Sequence, residues 1–309
     1  MDGKPHLFED GYPVRYLQKG RRSGAVYVGD CWTDFPVKFR WHTGLWFELF
    51  EKHVEFIVQD IERARAEGRL ILYLSCPISG RGGSYHQTNV EIADHAADNL
   101  KRRFGRRLWV LKPTHYQMES EAGTGLIKRH ARMLSLEKQL EREIDVAELA
   151  KNHPITGGDY LRMWTRVLVE DGKQNLGERF DAFYFLGPND VWSFFTQGNE
   201  QIIPGIERYF ASKFSMDPAF RAYFEGDDAA HASWKEKRDA FVKFYSLKAS
   251  AAYSLGSRDE FAIWRALNDI RLRELGPGSH IPGYFDGRQL EPGACGVTSS
   301  PGYAIGTRE

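Results

Sequence analysis

Residues Ser79 to Ser84 read Ser-Gly-Arg-Gly-Gly-Ser and follow the apolar run Leu70 to Cys76 after Pro77 and Ile78. The backbone N–H groups of Ser79, Gly80, Gly82, Gly83 and Ser84 in such a loop can wrap an anion ahead of a helix N-terminus, and Arg81 adds a charged donor suited to phosphate. The loop is not a Walker loop, because no Gly-Lys-Ser/Thr closes it, and it is not GxGxxG. Taken alone it reads as a turn that needs glycine. A second set, Asn189, Asp190, Ser193, Thr196 and Glu200, clusters near the expected start of a helix. A carboxylate there meets the positive end of the helix dipole, where it either caps the helix or carries chemistry. Tyr73 belongs to the apolar run itself, so its ring packs in the core while its hydroxyl reaches toward the strand end.

Other chemistries find no support. The ten histidines include no HExxH and no pair four apart, so no metal is expected, and no cofactor motif occurs. There is no GxSxG elbow, and Cys76, inside the apolar run, is expected to be an inert buried thiol. Lys plus Arg number 42 and Asp plus Glu number 42, so no global field calls for nucleic acid or an anionic membrane. Cys31, Cys76 and Cys295 form no CxxC pair, which suggests a reducing, cytoplasmic setting. The opening MDGKPHLFEDGYPVRY has no basic region followed by an apolar core, and no run of about 18 apolar residues occurs, so no membrane association is expected.

The elements that would hold these residues alternate. Residues 24–41 read as a hairpin, and Phe47, Phe50, Val54, Ile57 and Ile61 form one stripe of a helix over about 44–67, closed by Gly68. A strand at 70–77, a helix carrying Val90, Ala93, Ala97, Leu100 and Phe104, and a strand at 107–114 make a βαβ unit with parallel strands. Leu126, Met133 and Leu140, seven apart among many charges, predict a long solvent-facing helix over 125–152, read as an insertion. A helix with Leu161, Trp164 and Leu168 on one face and a third strand ending at Gly187 complete the alternation. Helical periodicity returns over 192–214, 234–250 and 257–275, and Pro204 is expected to end or kink the first of these. The last 34 residues hold eight Gly and four Pro, too many for a regular element, and read as a surface strap or a disordered tail. In an open parallel sheet, ligands bind beyond the carboxyl ends of the strands, which is where 75–87, 112–117 and 187–200 fall.

The pieces ILYLSCPISG, TNVEIADHAADNLKRRFG, LWVLKPT, GGDYLRMWTRVL and FDAFYFLGPND, in this order, resemble the nucleoside 2-deoxyribosyltransferase-like superfamily. The resemblance covers roughly 70–212. It implies an α/β fold with a flavodoxin-like three-layer parallel core, flanked here by an N-terminal hairpin and helix (1–69) and a C-terminal helical extension with tail (213–309). It also implies cleavage of a nucleoside or nucleotide N-glycosidic bond by a Glu nucleophile. On that basis Glu200, in Gly-Asn-Glu, takes the nucleophile's place with Glu207 in reserve. Tyr73 stands for the strand tyrosine that touches the carboxylate or sugar. Ser79, Gly80, Gly82, Ser84 and Ser193 match residues that line the substrate and its phosphate, Arg81 and Asn189 join them from the reading of the two loops, and Asp181 is structural. One departure stands out: the family carries an Asp two residues after the Arg of its Tyr-Leu-Arg helix, whereas Arg162 is followed here by Met163 and Trp164. Asp159 and Asp171 are the available substitutes.

Three functions compete. The first is an N-glycosidase or deoxyribosyltransferase-like enzyme acting on a nucleoside 5'-phosphate or related nucleotide. The second is a non-catalytic nucleotide-binding sensor on the same fold. The third is an interaction protein whose helices at 44–67 and 125–152 present surfaces for a homo-oligomer or another partner.

Overall fold

A computed structural model of the chain describes residues 12–13, 21–23, 26–28, 38–39, 42, 44–78, 83–118, 121–170, 175–196, 201–226, 233–248 and 255–291. Ahead of the core, β1 (Tyr12–Pro13) pairs antiparallel with β4 (Lys38–Phe39), and β2 (Arg21–Ser23) pairs antiparallel with β3 (Val26–Val28). The hairpin expected over 24–41 is therefore replaced: Val26–Val28 turns back on the residues just before it.

The core follows. Helix α1 (Leu45–Ala66) precedes strand β5 (Leu70–Ser75), and α2 (His86–Phe104) precedes β6 (Leu108–Leu111). A 3-10 turn at Pro113–Tyr116 leads to α3 (Glu121–Glu137), α4 (Val146–Asn152) and α5 (Gly157–Val169), and then to β7 (Ala182–Phe185). Five helices come next: α6 (Pro188–Phe195), α7 (Ile202–Met216), α8 (Pro218–Glu225), α9 (Trp234–Lys248) and α10 (Leu255–Leu275). Strands β8 (Gly283–Phe285) and β9 (Arg288–Gln289) end the described chain.

Five strands form one sheet in the order β6-β5-β7-β8-β9, parallel except for β9. Side chains alternate across it. Ile71, Tyr73, Phe183 and Phe185 pack beneath α1, α3, α5 and α10, whereas Leu72, Leu74, Tyr184 and Leu186 pack beneath α2 and α6 to α9. Helices on both faces explain why the strand residues are apolar in succession rather than alternating with polar ones. This is an α/β fold with a five-stranded, mostly parallel sheet.

Three readings of the sequence change. The helix expected over 125–152 is two helices, separated by a turn in which Gln139 takes a positive φ of 52°. Its seven-residue spacing marked the outer face: Met133 and Leu140 are exposed, while Ile127, Ala131 and Leu134 enter the core against α1. Pro204 does not kink a helix, because it lies in the first turn of α7, where an N–H has no intrahelical partner to lose. The Gly- and Pro-rich tail is not merely a strap, since it supplies β8, which pairs with β7 through Phe183↔Gly283 and Phe185↔Phe285. Gly283 is needed there, because a Cβ at that position would lie 2.5 Å from the Trp264 ring. A boundary at 69 runs between α1 and β5, which share one core, and a boundary at 212 falls inside α7.

Polar ties lock the helices. Asp159 accepts hydrogen bonds from Thr156 N (2.8 Å) and Oγ1 (2.7 Å) and from His42 N (2.6 Å), and its other contact is His42 Nδ1 at 2.9 Å. Glu51 of α1 takes both Arg162 and Arg166 of α5. Between α1 and α3, His53 Nε2 lies 2.8 Å from the Tyr116 carbonyl and so donates to it; His53 Nδ1 must then accept from His130 Nε2, 3.1 Å away.

Candidate active site

The chain leaves β5 for β6 on one side and returns past it to β7 on the other, so the order of strands switches between β5 and β7. Crevices at such points, beyond the carboxyl ends of the strands, are where open α/β sheets bind ligands. Ser75, the last residue of β5, is paired there with Phe185, the last of β7. The Ser75 hydroxyl donates to Glu260 Oε2 at 2.5 Å. Glu260 sits in the second turn of α10 and is only 6 % exposed. Tyr73, two residues back along β5 on the same face, is wholly buried; its hydroxyl adjoins the same carboxyl but makes no hydrogen bond of regular geometry. Asp259, also buried, stands next to Glu260. Phe261 and Trp264 close the inner side, with the Phe261 ring 5.3 Å from that of Phe185.

Burial governs the electrostatics. It pushes the Glu260 carboxyl up to about 7; the donors Ser75 and Tyr73 oppose the rise and Asp259 adds to it. The Tyr73 hydroxyl is likewise pushed up, first by burial and then by Glu260. Cys76 is a buried free thiol whose proton affinity is raised mainly by burial, so it is no nucleophile at neutral pH. Near pH 7 Glu260 therefore exchanges between its protonated and ionised forms.

The loop after β5 is fixed at its two ends. The Ile78 carbonyl accepts from Asn89 Nδ2 at 3.2 Å, and the Tyr245 hydroxyl donates to Asn89 Oδ1 at 2.8 Å. Gly83, with φ of 98°, presses on α9, where a Cβ would meet the Ala240 carbonyl oxygen at 2.7 Å. Ser84 is fully buried in this wall. Ser79, Gly80, Arg81 and Gly82 lie outside the described residues, as does Glu200.

No family model, curated protein or solved structure matches the chain. The chemistry of the site thus rests on its own geometry. Of the residues singled out in the sequence, Tyr73 reaches Glu260. Asn189 and Ser193 are engaged elsewhere: Asn189 N and Nδ2 donate to Asp286 at 2.7 Å each, docking the β8–β9 turn on the start of α6, and Ser193 bonds the Asp190 carbonyl and His95. Asp190 caps α6 through Gly187 N, and burial pushes its carboxyl up to about 6. Glu207 pairs with Arg238 in solvent. Asp181 is structural, accepting from Ile71 N at 2.7 Å. Asp159, a substitute for the expected family carboxylate, is consumed by its capping bonds, and Trp164 instead lays its ring 5.7 Å from that of Tyr73. Asp171 lies outside the described residues.

Ser75 and Glu260 went unnoticed in the sequence, although one signal was there. Glu260 shares the stripe of Trp264 and Leu267, at spacings of four and three, and a carboxylate on the apolar stripe of a helix is a buried charge in need of a reason. On the opposite face, Pro77, Asn89, Leu186, Val191, Phe244 and Tyr245 line a small, mainly apolar hollow. Among the described residues no group of three His, Cys, Asp or Glu is placed to hold a metal ion, and no helix is long and apolar enough to cross a membrane.

Proposed function

We propose that the chain cleaves or transfers at the N-glycosidic bond of a nucleoside 5'-phosphate or related nucleotide, with Glu260 as the nucleophile. The observation that carries this reading is the Glu260 carboxyl, buried against Ser75 and next to the Tyr73 hydroxyl where the strand order switches. It shares with the expectation for Glu200 only a carboxyl beside the strand tyrosine, and lies on α10 rather than near the start of the helix that follows β7. A carboxylate oxygen bonds the anomeric carbon as the bond to the base breaks, and the base takes a proton from water as it departs; water, giving up a proton to solvent, or a second base then displaces the glycosyl group and restores the carboxylate. Tyr73 sets its hydroxyl beside that carboxyl. The order β6-β5-β7-β8 supports a flavodoxin-like assignment, from which the antiparallel β9 departs.

The test is a panel of nucleotides and nucleosides, with released base measured by chromatography. Glu260→Gln is expected to lower base release by about 10³-fold or more. Full activity in Glu260→Gln with loss in Glu200→Gln would return the nucleophile to Glu200. The non-catalytic sensor is the second reading, favoured by Trp164 standing where a carboxylate was expected. It predicts thermal stabilisation by nucleotides with no free base from any of them.

A further inference from the structure

We propose that Ser75 is the positioning residue for Glu260, and that by holding the carboxyl and favouring its charged form it makes turnover at this site rise with pH; the turnover clause rests on the glycosidase reading above. The two residues are 185 positions apart, and both are buried: Ser75 is the last residue of β5, and its hydroxyl donates to Glu260 Oε2 at 2.5 Å. A donor to a carboxylate stabilises the ionised form, and with water excluded few other groups can do so. The groups that act on Glu260 are Tyr73 on the same strand and Asp259 on α10 itself, and Cys76, the next residue after Ser75, packs on the opposite face of the sheet. On α5, which packs along α10, Arg162 and Arg166 are bound to Glu51. Beyond Cys76, Lys112 is bound to Asp94. Among the described residues no cation pairs with Glu260, so the serine hydroxyl is the chief group that counters burial.

Only as a carboxylate can Glu260 attack the anomeric carbon, forming the C–O bond while the C–N pair leaves with the base. Ser75→Ala deletes the donor, so the carboxyl holds its proton to higher pH, by about one to two pH units for a hydrogen bond to a charged group. The experiment titrates Glu260 in the full chain by infrared difference spectroscopy, with the protonated-carboxyl band assigned by its loss in Glu260→Gln. The pH profile of base release is recorded in parallel. Ser75→Ala is expected to move both the titration and the ascending limb of the profile upward. Ser75→Thr, which keeps a hydroxyl, is expected to restore them. A titration that stays in place in folded Ser75→Ala, shown by an unchanged circular dichroism spectrum, overturns the proposal. So does an upward shift that Ser75→Thr and Ser75→Ala share. A titration that moves as expected with no base release from wild type overturns the glycosidase reading and supports the Ser75–Glu260 coupling.

Discussion

Glu260 holds its proton more tightly in the folded chain than in the unfolded one, because burial disfavours the charged carboxylate more than Ser75 and Tyr73 favour it. A raised carboxyl value gives stability that is complete below the ordinary value of 4.5 and is lost as pH rises toward about 7. The loss is about 3 kcal/mol, at 1.36 kcal/mol per pH unit. Glu260→Gln has no proton to release, so its unfolding free energy relative to wild type should rise by about that amount between pH 4.5 and pH 8. Urea titrations at both pH values measure it, and a difference that stays constant would mean that the carboxyl is solvated. His130 works in the opposite direction. Burial lowers it to about 4, so this site destabilises the fold as pH falls from 6.5 toward 4.

Helix α3 and strand β8 show how far local pattern carries an element. Apolar residues spaced seven apart do announce a helix, but the face they mark is decided by what covers it, and α1 covers Ile127, Ala131 and Leu134 instead. Strand β8 has no helical or strand period to read, because three residues with Gly283 at their start are extended through pairing with β7 and β9. Two glycines make the contrast measurable. Gly125 lies within α3 with open space where a Cβ would be, so Gly125→Ala should stabilise by about 0.5–1 kcal/mol through helix propensity. Gly283→Ala drives a methyl into Trp264, whose indole N–H donates to the Ile281 carbonyl, and should cost about 1–3 kcal/mol. Denaturant midpoints of both variants check the pair, and equal midpoints would show that β8 does not press on α10.

At the scale of the molecule, one sheet face is covered by helices from both ends of the chain, α1 and α10, with β8 beside β7. A fragment of residues 70–212, the span of the family resemblance, lacks all three and strips α1 and α10 from the face that carries Phe183 and Phe185. It is expected to show no cooperative unfolding by circular dichroism, and a sharp transition near the full-length midpoint would contradict a shared core. The sequence by itself determined the alternation of β5, α2, β6, α5 and β7, because the strands are short apolar runs and the helices carry a period of their own, and α1 could be read from its stripe in the same way. It also singled out Tyr73 as a strand residue whose hydroxyl comes near the site. Only the tertiary structure decided that a Gly- and Pro-rich segment completes the sheet and that Ser75 meets Glu260. Strand pairing and the burial of a carboxyl are relations between distant segments, and no local period records which segment will lie across the crevice.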